Sequence, residues 1–284
     1  MASLLVSITG LQNLPNLQNF NADWNVLQTI DLSGLTNLTY VDVSDCDELD
    51  SSGLKSINVS GCTALDDIRF DDNDFSAGFP DFSSCTSLAY FDADGCRLAG
   101  SIDLSNLPAL RGFDLSSNTQ LTEVIISSTQ PLGNGESVNL GGCESLTQTA
   151  LDNILQELAS GSVSNGYIGF GNTTLPSLNR GVSAFRTLIV DKGWDYDADG
   201  YSETRTATTA YSSSVEACTA LGNNETSTLY VYTGTNIEVG NYIFTDGRLH
   251  YPVTPGFIAI AGDGSWAYEI GSNGLIVSQS ACGV

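Results

Sequence analysis

The sequence predicts a mainly β chain: a solenoid with few helices over residues 1–194, followed by a small C-terminal β domain. Three observations predict it. A template of the form L-x-x-φ-x-φ-x-x-(N/C), with φ apolar, fits five segments in register. A second φ-x-φ half-motif lies between those segments. The composition is rich in turn-formers, with 29 Gly, yet 41% of the 284 residues are apolar and only 15% charged. That balance supports a packed core and argues against wholesale disorder.

Charge narrows the function classes early. Nine Lys and Arg stand against 33 Asp and Glu, for a net charge of −24. Such a surface repels phosphate backbones and anionic lipid, so neither nucleic acid nor a membrane surface is an expected partner. No apolar run approaches the length of a membrane span, so no membrane insertion is expected. The opening Met-Ala-Ser-Leu-Leu-Val-Ser-Ile-Thr-Gly carries no basic residue, and the first is Lys55. A secretory leader is therefore not expected, and neither is export by the usual route.

The five template segments are Leu17-Phe20-Ala22-Asn25, Leu38-Val41-Val43-Cys46, Leu65-Ile68-Phe70-Asn73, Leu88-Phe91-Ala93-Cys96 and Leu110-Phe113-Leu115-Asn118. With four positions recurring five times, the pattern resembles the leucine-rich repeat. The φ-x-φ alternation is a short strand with both apolar side chains inward. The closing Asn or Cys turns inward too, where Asn can bond the turn backbone of neighbouring coils.

The half-motif reads Ile30-Asp31-Leu32-Ser33-Gly34-Leu35, Ile57-Asn58-Val59-Ser60-Gly61-Cys62, Ile102-Asp103-Leu104-Ser105-Asn106-Leu107 and Val138-Asn139-Leu140-Gly141-Gly142-Cys143, with a degraded copy at Asp81–Cys85. Each coil therefore has two extended segments, and β structure is expected on two faces. Seven Cys is an odd number, but Cys46, Cys62, Cys85, Cys96 and Cys143 occupy fixed repeat positions. They read as small buried core residues rather than metal ligands, since no C-x-x-C pair exists.

After Asn118 the regularity ends. Leu121-Val124-Ile126 predicts one more strand, and Thr147–Ser160 an amphipathic helix with Leu151, Ile154, Leu155 and Leu158 on one face. Tyr167–Asn172 resembles a last repeat strand. Leu178–Lys192 reads as a closing helix stopped at Gly193. Such a cap covers the core that a bare last coil would expose.

Residues 195–210 read as an acidic linker. Within them Asp195, Asp197 and Asp199 precede Gly200, and the pattern resembles the start of a calcium loop. Those three and Glu203 are the candidate Ca2+ ligands. The twelfth position is Thr206 rather than Glu, and a solvated linker is the other reading. No other cofactor is expected. Residues 211–284 alternate short aromatic strands with Gly, Asn and Asp turns. Ile243-Phe244-Thr245-Asp246, Pro252-Val253, Gly256-Phe257, Trp266 with Tyr268, and Gly274-Leu275-Ile276 resemble a small β module of bacteriophage tail-fibre and virion proteins and of some bacterial surface proteins. Cys218 and Cys282 bracket it, and the resemblance leaves a disulfide between them open.

No catalytic motif is present. The single histidine, His250, cannot supply paired imidazoles for zinc. The chain is expected to be non-enzymatic. The better surface is the outward face of the stacked strands. Its columns are Asn21, Asp42, Arg69, Asp92, Asp114; Asn19, Tyr40, Asp67, Tyr90, Gly112; and Asp23, Ser44, Asp71, Asp94, Ser116. The ligand-binding candidates drawn from them are Asn19, Tyr40, Asp42, Asp67, Arg69, Asp71, Tyr90, Asp92, Asp94 and Asp114. Tyrosine offers contact area and a hydroxyl at small entropy cost. A purely solubilising face is the alternative.

The function expected is that of a bacteriophage virion structural protein, on a tail fibre or capsid, that binds the host cell surface. Its partners would be other virion proteins and a host surface glycan or protein, with a homo-oligomer allowed. The alternatives are a bacterial surface or secreted adhesin, which would be extracellular, and a polysaccharide-degrading enzyme.

Overall fold

The structure is a computed structural model. It describes residues 4–46, 53–171, 173 and 181–197, and beyond them the backbone of six strands between 202 and 281. The chain divides into two compact units, Met1–Ala198 and Asp199–Val284.

The first unit is a leucine-rich-repeat β-solenoid. Its front sheet runs, in order, β1 (Asn19–Asn21), β3 (Tyr40–Asp42), β5 (Asp67–Arg69), β6 (Tyr90–Asp92), β8 (Gly112–Asp114), β10 (Ser137–Asn139), β11 (Tyr167–Gly169) and β12 (Asp195–Asp197). Every pair is parallel and in register, so Phe20, Val41, Ile68, Phe91, Phe113, Val138 and Ile168 form one inward column. All seven are buried. Both faces of such a stack read the same locally, because each strand is a single φ-x-φ unit.

That similarity explains one correction. The Val138–Cys143 segment was expected with the between-strand half-motifs, but β10 pairs with β8 and β11 on the front. The adjoining Leu121–Ile126 segment takes the back, as β9 (Gln120–Ile125) against β7 (Ala99–Asp103). The other back pair is β2 (Thr29–Asp31) with β4 (Ser56–Asn58). Between β4 and β7 the back ladder is broken. Pro80 stands there where Ile30, Ile57 and Ile102 stand in the intact half-motifs, and proline has no N–H to donate. Phenylalanines fill the interrupted coil. Phe91 stacks on Phe113 with ring centres 5.7 Å apart and on Phe82 at 6.0 Å, and Phe70 meets Phe75 edge-on at 5.0 Å.

Behind the front sheet runs a second inward column, in which Asn and Cys alternate: Asn25, Cys46, Asn73, Cys96, Asn118, Cys143. Asn118 Nδ2 donates to Leu115 O at 2.8 Å in its own turn and to Ala93 O at 2.9 Å in the preceding coil, while its Oδ1 accepts from Leu98 N at 2.8 Å. Asn73 makes the same set, with Phe70, Val43 and Leu54. Of the intervening thiols, Cys96 donates to Phe70 O and Cys143 to Leu115 O, each at 3.1 Å, while Cys46 has Val43 O at 3.3 Å and Ala22 O at 3.7 Å. All five cysteines of the repeat are buried and free. Burial pushes the thiols of Cys85 and Cys143 up to about 12, so they stay protonated donors.

The C-terminal end of the solenoid is helical. Thr147 caps α1 (Gln148–Ser160) by accepting from Ala150 N, and α1 buries Leu151, Ile154, Leu155 and Leu158. The expected single closing helix is instead α2 (Gly181–Arg186) widening into a π turn over Thr187–Asp191. Lys192 Nζ donates to Leu158 O and Gly161 O at the end of α1, where a cation suits the helix dipole. Trp194 is buried and donates to Val163 O. The solenoid then gains one further strand, β12, so Tyr167–Gly169 is not its last.

The expected acidic linker over 195–210 is thus corrected at both ends. Asp195–Asp197 joins the front sheet, and β13 (Ser202–Thr208) pairs residue for residue with β14 (Thr226–Tyr232). Polar composition suggested a linker, but the threonines of Ser-Glu-Thr-Arg-Thr-Ala-Thr are β-branched and suit a strand. The second unit is completed by β15 (Tyr242–Phe244) and by an antiparallel sheet of β16 (Gly256–Ala259), β17 (Trp266–Ile270) and β18 (Ile276–Ala281). Cys218, His250 and Cys282 lie outside the described residues.

Candidate functional site

The outward side of the front sheet assembles the candidate residues in the expected columns. Asn19, Tyr40, Asp67, Tyr90 and Gly112 share one row of strand partners, and Asn21, Asp42, Arg69, Asp92 and Asp114 the other. The end at β1 is exposed, with Asn19 and Asn21 in solvent, whereas Tyr40, Asp42, Asp67, Tyr90, Asp92 and Asp114 are half-buried. Gly112 flattens the first row beyond Tyr90. The backbone of Glu136 and Ser137 crosses it so closely that a Cβ there would strike the Ser137 carbonyl.

The carboxylates have local work that explains their number. Asp42, Asp92 and Asp114 each accept, through Oδ1, the backbone N–H two residues on, at 3.3, 3.2 and 2.8 Å. Asn21 and Asn139 do the same on β1 and β10. Asp31, Asn58, Asp81 and Asp103 repeat the bond to a serine on the back face. These are Asx turns, and they end the half-motifs. The residue that follows each front turn is left-handed: Trp24, Asp45, Asp72, Gly95, Ser117 and Gly142 have φ between 51° and 74°. An x-[DN]-x-[SDG] spacing after the apolar position is the signal in the sequence that marks this device.

Arg69 replaces the Asx residue on β5. Its guanidinium lies 6.0 Å over the Tyr40 ring and 3.4 Å from Asp67 Oδ2. The Tyr40 hydroxyl donates to Asp42 Oδ2 at 3.2 Å. Burial, and then Asp42, pushes the Tyr40 phenol up. Burial pushes Tyr90 up further, with Asp92 and Asp114 adding to it.

Electrostatic stress concentrates between β3 and β8. The Ser44 hydroxyl lies 2.8 Å from Asp42 Oδ1 and 2.7 Å from Asp71 Oδ1. It has one proton and can donate to one carboxylate at a time. Burial raises the Asp92 carboxyl to about 7, and the charges of Asp71, Asp114 and Asp94 add to the shift. Asp67 Oδ1 and Asp94 Oδ1 are buried and accept no hydrogen bond among the described residues.

Two cation sites come into question. Asp195 and Asp197 lie in paired, extended β12, which is not the coiled loop that wraps alternate carboxylates around calcium. Asp199 lies outside the described residues, and Glu203 belongs to β13. A second group lies in the turns after β3 and β5: Asp45, Asp71 and Asp72 bring one carboxylate oxygen each within 4.8 Å of one another and could hold a hard cation. Asp45 is 26 residues from Asp71, so only the stacking of coils joins them.

No family model matches the chain, and no curated protein matches it. Among solved structures it is similar to an internalin, InlF, of Listeria monocytogenes. That likeness has 14% identity, a TM-score of 0.23, and coverage of 69% of this chain and 78% of that one. It is also similar to the functional domain of InlJ from Listeria monocytogenes, described as including a cysteine ladder. The identity there is 16% and the TM-score 0.22, over 98% of this chain and 74% of that one. The fold assignment itself stands on the repeat and the strand ladder.

Proposed function

We propose that this chain is a non-enzymatic recognition protein of the adhesin kind, which binds a protein or glycan at a cell surface through the front face of the solenoid. One observation carries the reading. A continuous parallel sheet sets Tyr40 and Tyr90 two strands apart on a face whose polar side chains are tied into turns and cross-strand bonds. Rigid, amphipathic anchors of this sort lose little entropy on binding. The same ties suit a non-enzymatic role, since Asp42, Asp92 and Asp114 each accept the amide that closes their own turn.

The setting that suits an acidic, turn-rich surface is the cell exterior, either attached or secreted. The C-terminal resemblance suits a virion setting, but it extends to bacterial surface proteins as well. In this reading the second unit supplies attachment or contacts between copies. The test is a full-length Tyr40→Ala, Tyr90→Ala variant. It should bind cells recognised by the unaltered chain about tenfold or more weakly, as loss of central tyrosines does elsewhere, while its circular dichroism is unchanged. Undiminished cell binding by that variant overturns the proposal.

A further inference from the structure

We propose that the front face takes a cationic segment of its partner, an extended stretch carrying arginine or lysine side chains. The inference rests on the reading of this face as the recognition surface and names the chemistry it selects.

The protein already seats one such group. Arg69 on β5 lies over the Tyr40 ring of β3 and is paired with Asp67, an arrangement in which ring face and carboxylate both favour a guanidinium. Part of the frame is repeated two strands along the sheet, with Gly112 in the place of Asp67. Tyr90 on β6 has the place of Tyr40, and the neighbouring position on β8, which corresponds to that of Arg69, is Asp114. The second frame therefore offers a tyrosine ring with Asp92 and Asp114 and supplies an acid where the first supplies its own cation.

The surroundings call for the same kind of ligand. Asp42 and Asp71 share a single serine proton, and Asp94 adds a buried oxygen without a donor. Carboxylates stacked at strand spacing repel. A segment bearing positive donors supplies both the hydrogen bonds and the charge; a neutral glycan supplies only the first, and an anionic ligand adds to the repulsion. Charge complementarity thus commits the face to a basic partner.

The probe is a fluorescent twelve-residue peptide of alternating Arg and Ser, titrated into the full chain and followed by anisotropy, beside an analogue with citrulline for Arg. Two double variants carry the test. At pH 8.5, above the titration of Asp92 near 7, Asp92→Asn with Asp114→Asn removes two front charges, and Asn21 and Asn139 demonstrate that asparagine keeps the turn. Asp31→Asn with Asp103→Asn removes two charges from the back face. The expected result is binding of the Arg peptide over the citrulline one. The front pair should weaken it about tenfold, near 0.7 kcal/mol for each charge pair, and the back pair less than twofold. Equal loss from both pairs would reduce the effect to net charge and overturn the inference, and so would equal binding of citrulline. If the tyrosine variant loses cell binding while the front Asn pair leaves both peptide and cell binding intact, the cationic partner is wrong and the recognition face stands.

Discussion

On the back of the solenoid Asp31, Asp81 and Asp103 each end a half-motif by accepting from a serine two residues on, and those bonds hold the three carboxyls below the usual carboxylate range. On the front Asp92 ends a strand with the backbone half of that bond, Asp94 having no hydroxyl to add, and its carboxyl is raised to about 7, first by burial and then by neighbouring carboxylates. The backbone turn is the same; the residue that closes it and the neighbours around it differ. On the back, Pro80 interrupts the ladder and the acids stand in solvent. On the front, eight strands stack without a gap, and the acids from β3 to β8 are half-buried side by side. Stacking without interruption turns a local turn device into a collective electrostatic surface.

The contrast can be broken most severely through the core beneath the front sheet. Phe91→Ala removes the ring that stacks on both Phe113 and Phe82, and it should destabilise the protein by about 3–5 kcal/mol in urea denaturation. A loss under about 2 kcal/mol would mean that the Phe79–Phe82 segment of the interrupted coil can move in and refill the space, so that front and back are not packed independently.

A smaller effect of opposite sign sharpens the electrostatic half. An acid whose folded pKa is raised favours folding most when protonated. Its contribution is fully present below the unfolded value near 3.8 and is lost as pH rises through about 7. Asp92→Asn removes that dependence. It should stabilise the protein by about 1–2 kcal/mol at pH 8, discounted for partial solvent screening, and by nothing near pH 3.5. Thermal melts across pH 3.5–8 measure it. A variant less stable than the unaltered chain at pH 8 would show that the front carboxylates are already neutralised.

The smallest effect concerns the break itself. Pro80→Ile restores the residue type of the intact back half-motifs. It should change stability by no more than about 1 kcal/mol, while the amide gained at position 80 becomes protected from hydrogen exchange. Free exchange at that amide would mean that the preceding turn at Asp74–Ser76, with its own Asx bond, holds the back strands apart whatever stands at 80.

Much of the solenoid was legible because the repeat is written in residue types. Leu38, Leu65, Leu88 and Leu110, the φ pairs and the Asn or Cys that follows all fall where the pattern put them, and the outward columns match the strand register. The assignment of Val138 to a face was not legible, since a front strand and a back strand carry the same φ-x-φ unit and differ only in which neighbour they meet. The strand character of Asp195–Asp197 and Ser202–Thr208 was hidden by polar composition, because a strand needs its partner rather than an apolar pattern of its own.

Taken alone, the sequence determined that this chain stacks short coils, which residues point inward in each of them, and that its surface is strongly acidic, because those properties follow from side-chain type and spacing within one coil. Only the tertiary structure decided that the back ladder breaks at Pro80, which carbonyls and amides the Asn and Cys spine meets, and that Arg69 lies over Tyr40. It alone also decided that Asp45, Asp71 and Asp72 converge. Each of these is a relation between coils some 20–30 residues apart, and it exists only once backbone hydrogen bonds have fixed the register in which the coils stack.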